Sequence, residues 1–195
     1  MNGNKHTSVD NPQLGLVKQI IEEDTNLVAT ALMAAQRSLE LADEDARRTY
    51  PAVWDYVQGY WLLGAAHRVN RNIEESDRNL TEAITRCRAI SLVEMEADIL
   101  LELARLRLAT RERDEAFRLA KEALTIIERC GYVLKGADVH LFLAQLALAD
   151  GDREKALFHA TQARQLATCD GPPNYTYKVA YEEAGVLLEE LGEGI

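Results

Sequence analysis

The chain has 195 residues, 47% of them hydrophobic and 28% charged, with a net charge of −10. This is a globular composition with enough length for one domain or a short repeat array. Few aromatics, 11 Gly and 4 Pro argue against an all-β sandwich or barrel, and the acidic balance argues against nucleic acid as a partner. Cys87, Cys130 and Cys169 have neither metal-ligand nor disulfide spacing, which predicts thiols used as small apolar residues in a cytoplasmic protein. No apolar stretch reaches the length of a bilayer span, so no membrane partner is expected.

In chain order, residues 1–12 are polar and predict a flexible tail. Residues 13–50 predict an N-terminal helical pair, with one helix around Leu16, Ile20 and Ile21 and another around Val28, Leu32, Ala35 and Leu39. The segment 43–51, DEDARRTYP, reads as a charged break that puts this pair out of register with the rest of the chain.

Beyond Pro51 the sequence repeats with a step of 40: Ala83, Ala123 and Ala163 coincide, as do Leu63, Leu103 and Leu143, and so do Gly64, Ala104, Ala144 and Ala184. Each unit predicts two antiparallel helices, with small residues where the backbones approach closely. The units are 51–91, 92–131 and 132–171, and 172–195 is a C-terminal capping helix. Asp150-Gly151-Asp152 predicts a turn with an N-cap. Gly131 and Gly136 share a phosphate-loop spacing but lack the following Lys and Ser or Thr, which predicts an inter-repeat loop.

Tyr60, Leu63, Gly64, Ser76, Leu80 and Ala83, with their counterparts in the next two units (Leu103, Ala104, Ala116 and Ala123; Leu143, Ala144, Ala156 and Ala163), resemble the tetratricopeptide repeat signature. The resemblance covers roughly residues 53–191. It implies an all-α, right-handed superhelix of stacked helix pairs with partners bound on its concave face. The 40-residue step exceeds the usual repeat of about 34. It is similar to the long-helix arrays at the C-terminal ends of bacterial signal-transduction ATPases, such as the maltose-regulon activator class.

Neither a metal-binding histidine pair nor a nucleophile motif is present. The expectation is no enzyme, no cofactor and no metal. His140 is expected as a packing residue, and His159 is expected toward a neighbouring helix or solvent. The resemblance implies a groove lined by Gln58, Trp61 and Arg68 from the first unit, and Asp98, Leu101 and Arg105 from the second. Asp138, Leu141 and Gln145 follow from the third, with Lys178 and Tyr181 from the last helix. Trp61 and Leu101 can instead be core residues under adjacent helices. Residues 51–136 carry thirteen basic and fourteen acidic groups, so an acidic peptide is expected around Arg68 and Arg105. Trp61, Ala65, Leu101 and Glu102 stand where a carboxylate clamp for chaperone tails would need Lys, Asn and Arg, so that clamp is not expected. The functional expectation is a protein- or peptide-binding scaffold. Its rivals are a regulatory module serving a separate signalling ATPase and a self-associating protein forming a homo-oligomer through the array ends.

Overall fold

The computed structural model describes residues 12–48, 53–168 and 177–192, with side chains from Leu27 onward. The described residues form eight helices and no strand: α1 (Pro12–Arg48), α2 (Val53–Val69), α3 (Ile73–Ala89), α4 (Val93–Ala109), α5 (Arg113–Cys130), α6 (Val133–Ala149), α7 (Arg153–Ala167) and α8 (Lys178–Glu190). Consecutive helices pack against each other. The pairs α2/α3, α4/α5 and α6/α7 are the most extensive, and α2, α4, α6 and α8 also touch in succession.

One turn connects these helices. Arg71, Ser91, Arg111, Gly131 and Gly151 follow one another at intervals of twenty residues, and each has a positive φ of 54–75°. At Arg71 the backbone N–H donates to Arg68 O at 3.0 Å, and that of Asn72 donates to His67 O at 2.9 Å. The same pair recurs at Arg111 and Glu112 and at Gly151 and Asp152. This left-handed end satisfies carbonyls that the terminating helix leaves open. Asp152 then caps α7 by accepting from Lys155 N, as the sequence predicts.

The small residues of the 40-residue step mark close crossings. A Cβ added at Gly64 would stand 2.6 Å from Leu80 Cγ, and Gly64 O accepts from the buried Ser76 Oγ at 2.8 Å. Ala104, Ala144 and Ala184 are buried at the equivalent positions, as are Ala83, Ala123 and Ala163 on the facing helices. A continuous core of Leu80, Ile99, Leu100, Leu106, Leu124, Phe142 and Leu143 joins α2 to α6. The α8 helix closes the other end: Ala180, Ala184, Leu188 and Leu191 meet α6 and α7 in four successive small clusters.

Four expectations are corrected. The 13–50 segment is one helix, α1, and not a helical pair. DEDARR contains no Gly or Pro, and its mixed charges suit a helix, so the helix runs through it to Arg48. Leu39 packs on Gly59, which seats the C-terminal half of α1 on α2. The expected register break is also absent, because α1 ends at Arg48 and α2 begins at Val53, close to the spacing between α3 and α4. Gly136 lies inside α6 and not in a loop. It is buried where a Cβ would come within 3.1 Å of Leu166 Cδ1, because Gly131 alone makes the turn. The expected tail is helical at Pro12; residues 1–11 lie outside the described residues, as do Cys169 and the 169–176 connection.

Candidate functional site

Because α2, α4, α6 and α8 touch in succession, their residues form one face, and a set of cross-helix polar contacts lies along it. Glu102 of α4 is only 6% exposed. One carboxylate oxygen accepts from Arg68 Nε of α2 at 2.8 Å, and the other accepts from Arg105 Nη1 on its own helix. On the same helix Asp98 accepts from Lys135 Nζ of α6 at 2.6 Å, and this ammonium also donates to Glu94 O. Asp138 of α6 accepts from the Tyr177 hydroxyl at 3.2 Å. Tyr181 of α8 receives a hydrogen bond from Arg164 at 2.8 Å, and the guanidinium lies 4.5 Å from the centre of its ring.

Desolvation raises the carboxyl pKa of both Asp98 and Asp138 above the ordinary value, against the opposing pull of Lys135 on Asp98 and of Tyr177 and Arg105 on Asp138. A row of alternating charge, partly removed from water, therefore runs across α2, α4 and α6. Trp61 is half-buried at its start, and its Nε1 is buried with no hydrogen-bond partner, as is His67 Nδ1 on the same helix. Gln58 is half-buried, and Gln145 and Lys178 are exposed.

The structure thus brings Arg68, Asp98, Arg105 and Asp138 into one cross-helix network, with Glu102 as its buried centre. Leu101 and Leu141 are each only 5% exposed and do not line a surface. Both α4 and α6 are enclosed by helices on several sides, so their apolar residues are consumed in packing. Arg68 and Arg105 are not free cations for an acidic peptide, because Glu102 takes both. The sequence reading missed Glu102, Lys135 and Tyr177. The available signal was the run of apolar residues around Glu102, since a carboxylate buried there requires cationic partners.

A second polar pair lies between α6 and α7. His140 Nδ1 and His159 Nδ1 are 2.9 Å apart. Burial lowers the pKa of both imidazoles, and that of His159 falls to about 4. His140 is buried, as expected of a packing residue, and the half-buried His159 faces it on the neighbouring helix, as also expected. Cys87 is buried, and desolvation raises its thiol pKa to about 11, which suits a packing role. Cys130 is exposed.

No family model matches the chain, and no curated protein matches it. Among solved structures, the crystal structure of BtubC (BKLC) from P. vanneervenii is similar, with a TM-score of 0.62 and 19% identity. The likeness covers 85% of this chain and 64% of that one, so this chain spans less than two thirds of BtubC. What the two share at that identity is the fold.

Proposed function

We propose that the chain is a tetratricopeptide-like, right-handed superhelix that binds a polypeptide segment along the face formed by α2, α4, α6 and α8, without catalysing a reaction. The observation that carries this reading is the row of partly desolvated charge from Arg68 through Glu102, Arg105 and Asp98 to Asp138. Holding half-buried carboxylates at raised pKa opposes stability, and such groups concentrate where a surface has work to do. Arg68, Glu102, Arg105 and Asp98 are already in ion pairs within the chain and the Tyr177 hydroxyl holds Asp138, so the row offers fixed dipoles and not a bare cation. It suits an extended main chain, whose N–H and C=O groups can bond to Gln58, Asp138 and Gln145, with Trp61 as the apolar anchor. The likeness to BtubC supports the helical architecture, and the partner chemistry rests on this face alone.

The reading is tested by panning a random peptide library on the immobilised protein. Peptides that bind should weaken at least tenfold on the variant Asp138→Asn with Gln145→Ala. Neither change removes a core contact, so the melting temperature should hold. If no peptide is enriched, or if every enriched peptide binds this variant as tightly as the parent, the assignment of the face is wrong.

A further inference from the structure

The two ends of the array differ. At the α8 end, Lys178, Glu182 and Glu189 are exposed beside Val179 and Val186, so charged groups interrupt the apolar ones and no apolar groove forms among the described residues there. At the α1 end, α1 and α2 enclose a groove of about 510 Å³ lined by apolar side chains, among them Leu27, Val28, Ala31, Ala35, Leu62 and Val69. Leu27 is 67% exposed and Val69 54%. The repeat identifies what fits this groove. Leu62 stands forty residues before Glu102 and eighty before Phe142. Glu102 is buried facing Arg68 of the preceding α2, and Phe142 is buried in the core shared with α4 and α5. The same side of α2 meets no helix among the described residues. The groove is therefore the vacant seat of a helix that would run antiparallel to α1.

We propose that a second copy of the chain fills this seat, its α1 lying in the groove of the first and the first α1 lying in its own. The α1 helix spans Pro12–Arg48, 37 residues against 17 in α2, and it continues for fifteen residues before Leu27, at the groove's open end. At 1.5 Å per residue that overhang is about 22 Å long. A two-fold axis across α1 sets the two copies of α1 antiparallel, the direction the seat requires, and closes the assembly with no seat left over. The sequence of the overhang carries Leu14, Val17 and Ile21 at helical spacing, followed by Glu22, Glu23 and Asp24. An overhang lying antiparallel in the groove brings the segment 22–24 to its open end. There Arg71 follows Val69, exposed and in no ion pair among the described residues. Half the circumference of a 10 Å cylinder over 22 Å is about 350 Å². One overhang and one groove per copy give about 700 Å², close to the ~800 Å² per partner of a stable interface. This pairing does not involve the charged row on α4 and α6, so it can fail without affecting peptide binding.

Sedimentation equilibrium of the full chain under reducing conditions, over a wide concentration range, tests the pairing. The parent should approach twice the 21.8 kDa chain mass. Leu62→Glu in the groove and Ile21→Glu in the overhang should each give a monomer with an unchanged circular dichroism spectrum. Arg71→Glu should weaken the dimer about tenfold at low salt and much less at high salt. A parent that stays monomeric overturns the proposal, and its seat then belongs to another segment or another protein. A dimer that survives Leu62→Glu overturns it, because the interface lies elsewhere. A dimer that survives Ile21→Glu also overturns it, because the overhang is not what fills the groove.

Discussion

Replacing both Arg68 and Arg105 with Ala should destabilise the fold by far more than two surface changes would. Glu102 retains 6% of its accessible surface and has both oxygens engaged, one by each guanidinium. Either single change leaves the carboxylate one charged partner, a loss of about 1 kcal/mol. The double change strands it. Removing the partner of a fully buried ion costs about 3–5 kcal/mol. Here the Arg68 and Arg105 side chains keep 24% and 33% of their surface, which brings the expected loss to the lower end, about 3 kcal/mol. The two changes should therefore be non-additive by about 1 kcal/mol. Adding Glu102→Gln removes the stranded charge and should restore most of that excess. Urea denaturation of the parent, both singles, the double and the triple variant measures each corner. Strict additivity of the singles, or a triple variant no more stable than the double, would refute Glu102 as the centre of the network.

The left-handed turns predict that Arg71→Gly, Ser91→Gly and Arg111→Gly each raise stability by about 0.5–1 kcal/mol, and that Gly151→Ala lowers it by a similar amount, read from thermal unfolding. At the helix crossings, Ala104→Leu and Ala144→Leu should each cost about 1–3 kcal/mol by overpacking. The exposed Glu112→Leu should leave the melting temperature nearly unchanged. The histidine pair predicts a pH dependence. Burial holds both folded-state imidazoles below their ordinary value near 6.5, with His159 at about 4. The unfolded chain then binds more protons across that interval. Their contribution is complete above pH 6.5 and is lost as the pH falls toward 4. His159→Gln should flatten that slope in acid-dependent melting curves, and an unchanged slope would refute the assignment.

The 40-residue step was legible in the sequence because close helix crossings tolerate only small side chains, and Ala83, Ala123 and Ala163 therefore recur in phase. The twenty-residue turn was not legible. Three of its five left-handed positions carry Arg or Ser, residues with no preference for a left-handed backbone, and only Gly131 and Gly151 are the residue type that such a backbone favours. The polar face was half legible. Arg68, Asp98, Arg105 and Asp138 share the face that the step predicts. Leu101 and Leu141 do not, because helices enclosed on several sides are apolar nearly all round, and periodicity then cannot say which side is open. The partner of the two arginines was hidden for a different reason. Arg68 and Glu102 are 34 residues apart, and no local rule joins residues on two helices until those helices are stacked.

Equal turns at equal intervals also set how the chain should yield to force. The cross-helix hydrogen bonds among the described residues close loops of no more than about forty residues, as between Lys135 and Glu94, Asp138 and Tyr177, and Arg113 and Leu146. No bond among the described residues ties one end of the array to the other. Pulled from its termini, the chain should come apart one helix pair at a time, each rupture freeing about 40 residues, or roughly 140 Å of contour length. Relaxed, each pair should re-form on the one still standing. The result is a spring with discrete steps, its stiffness set by contacts between neighbours and its extension by the number of units.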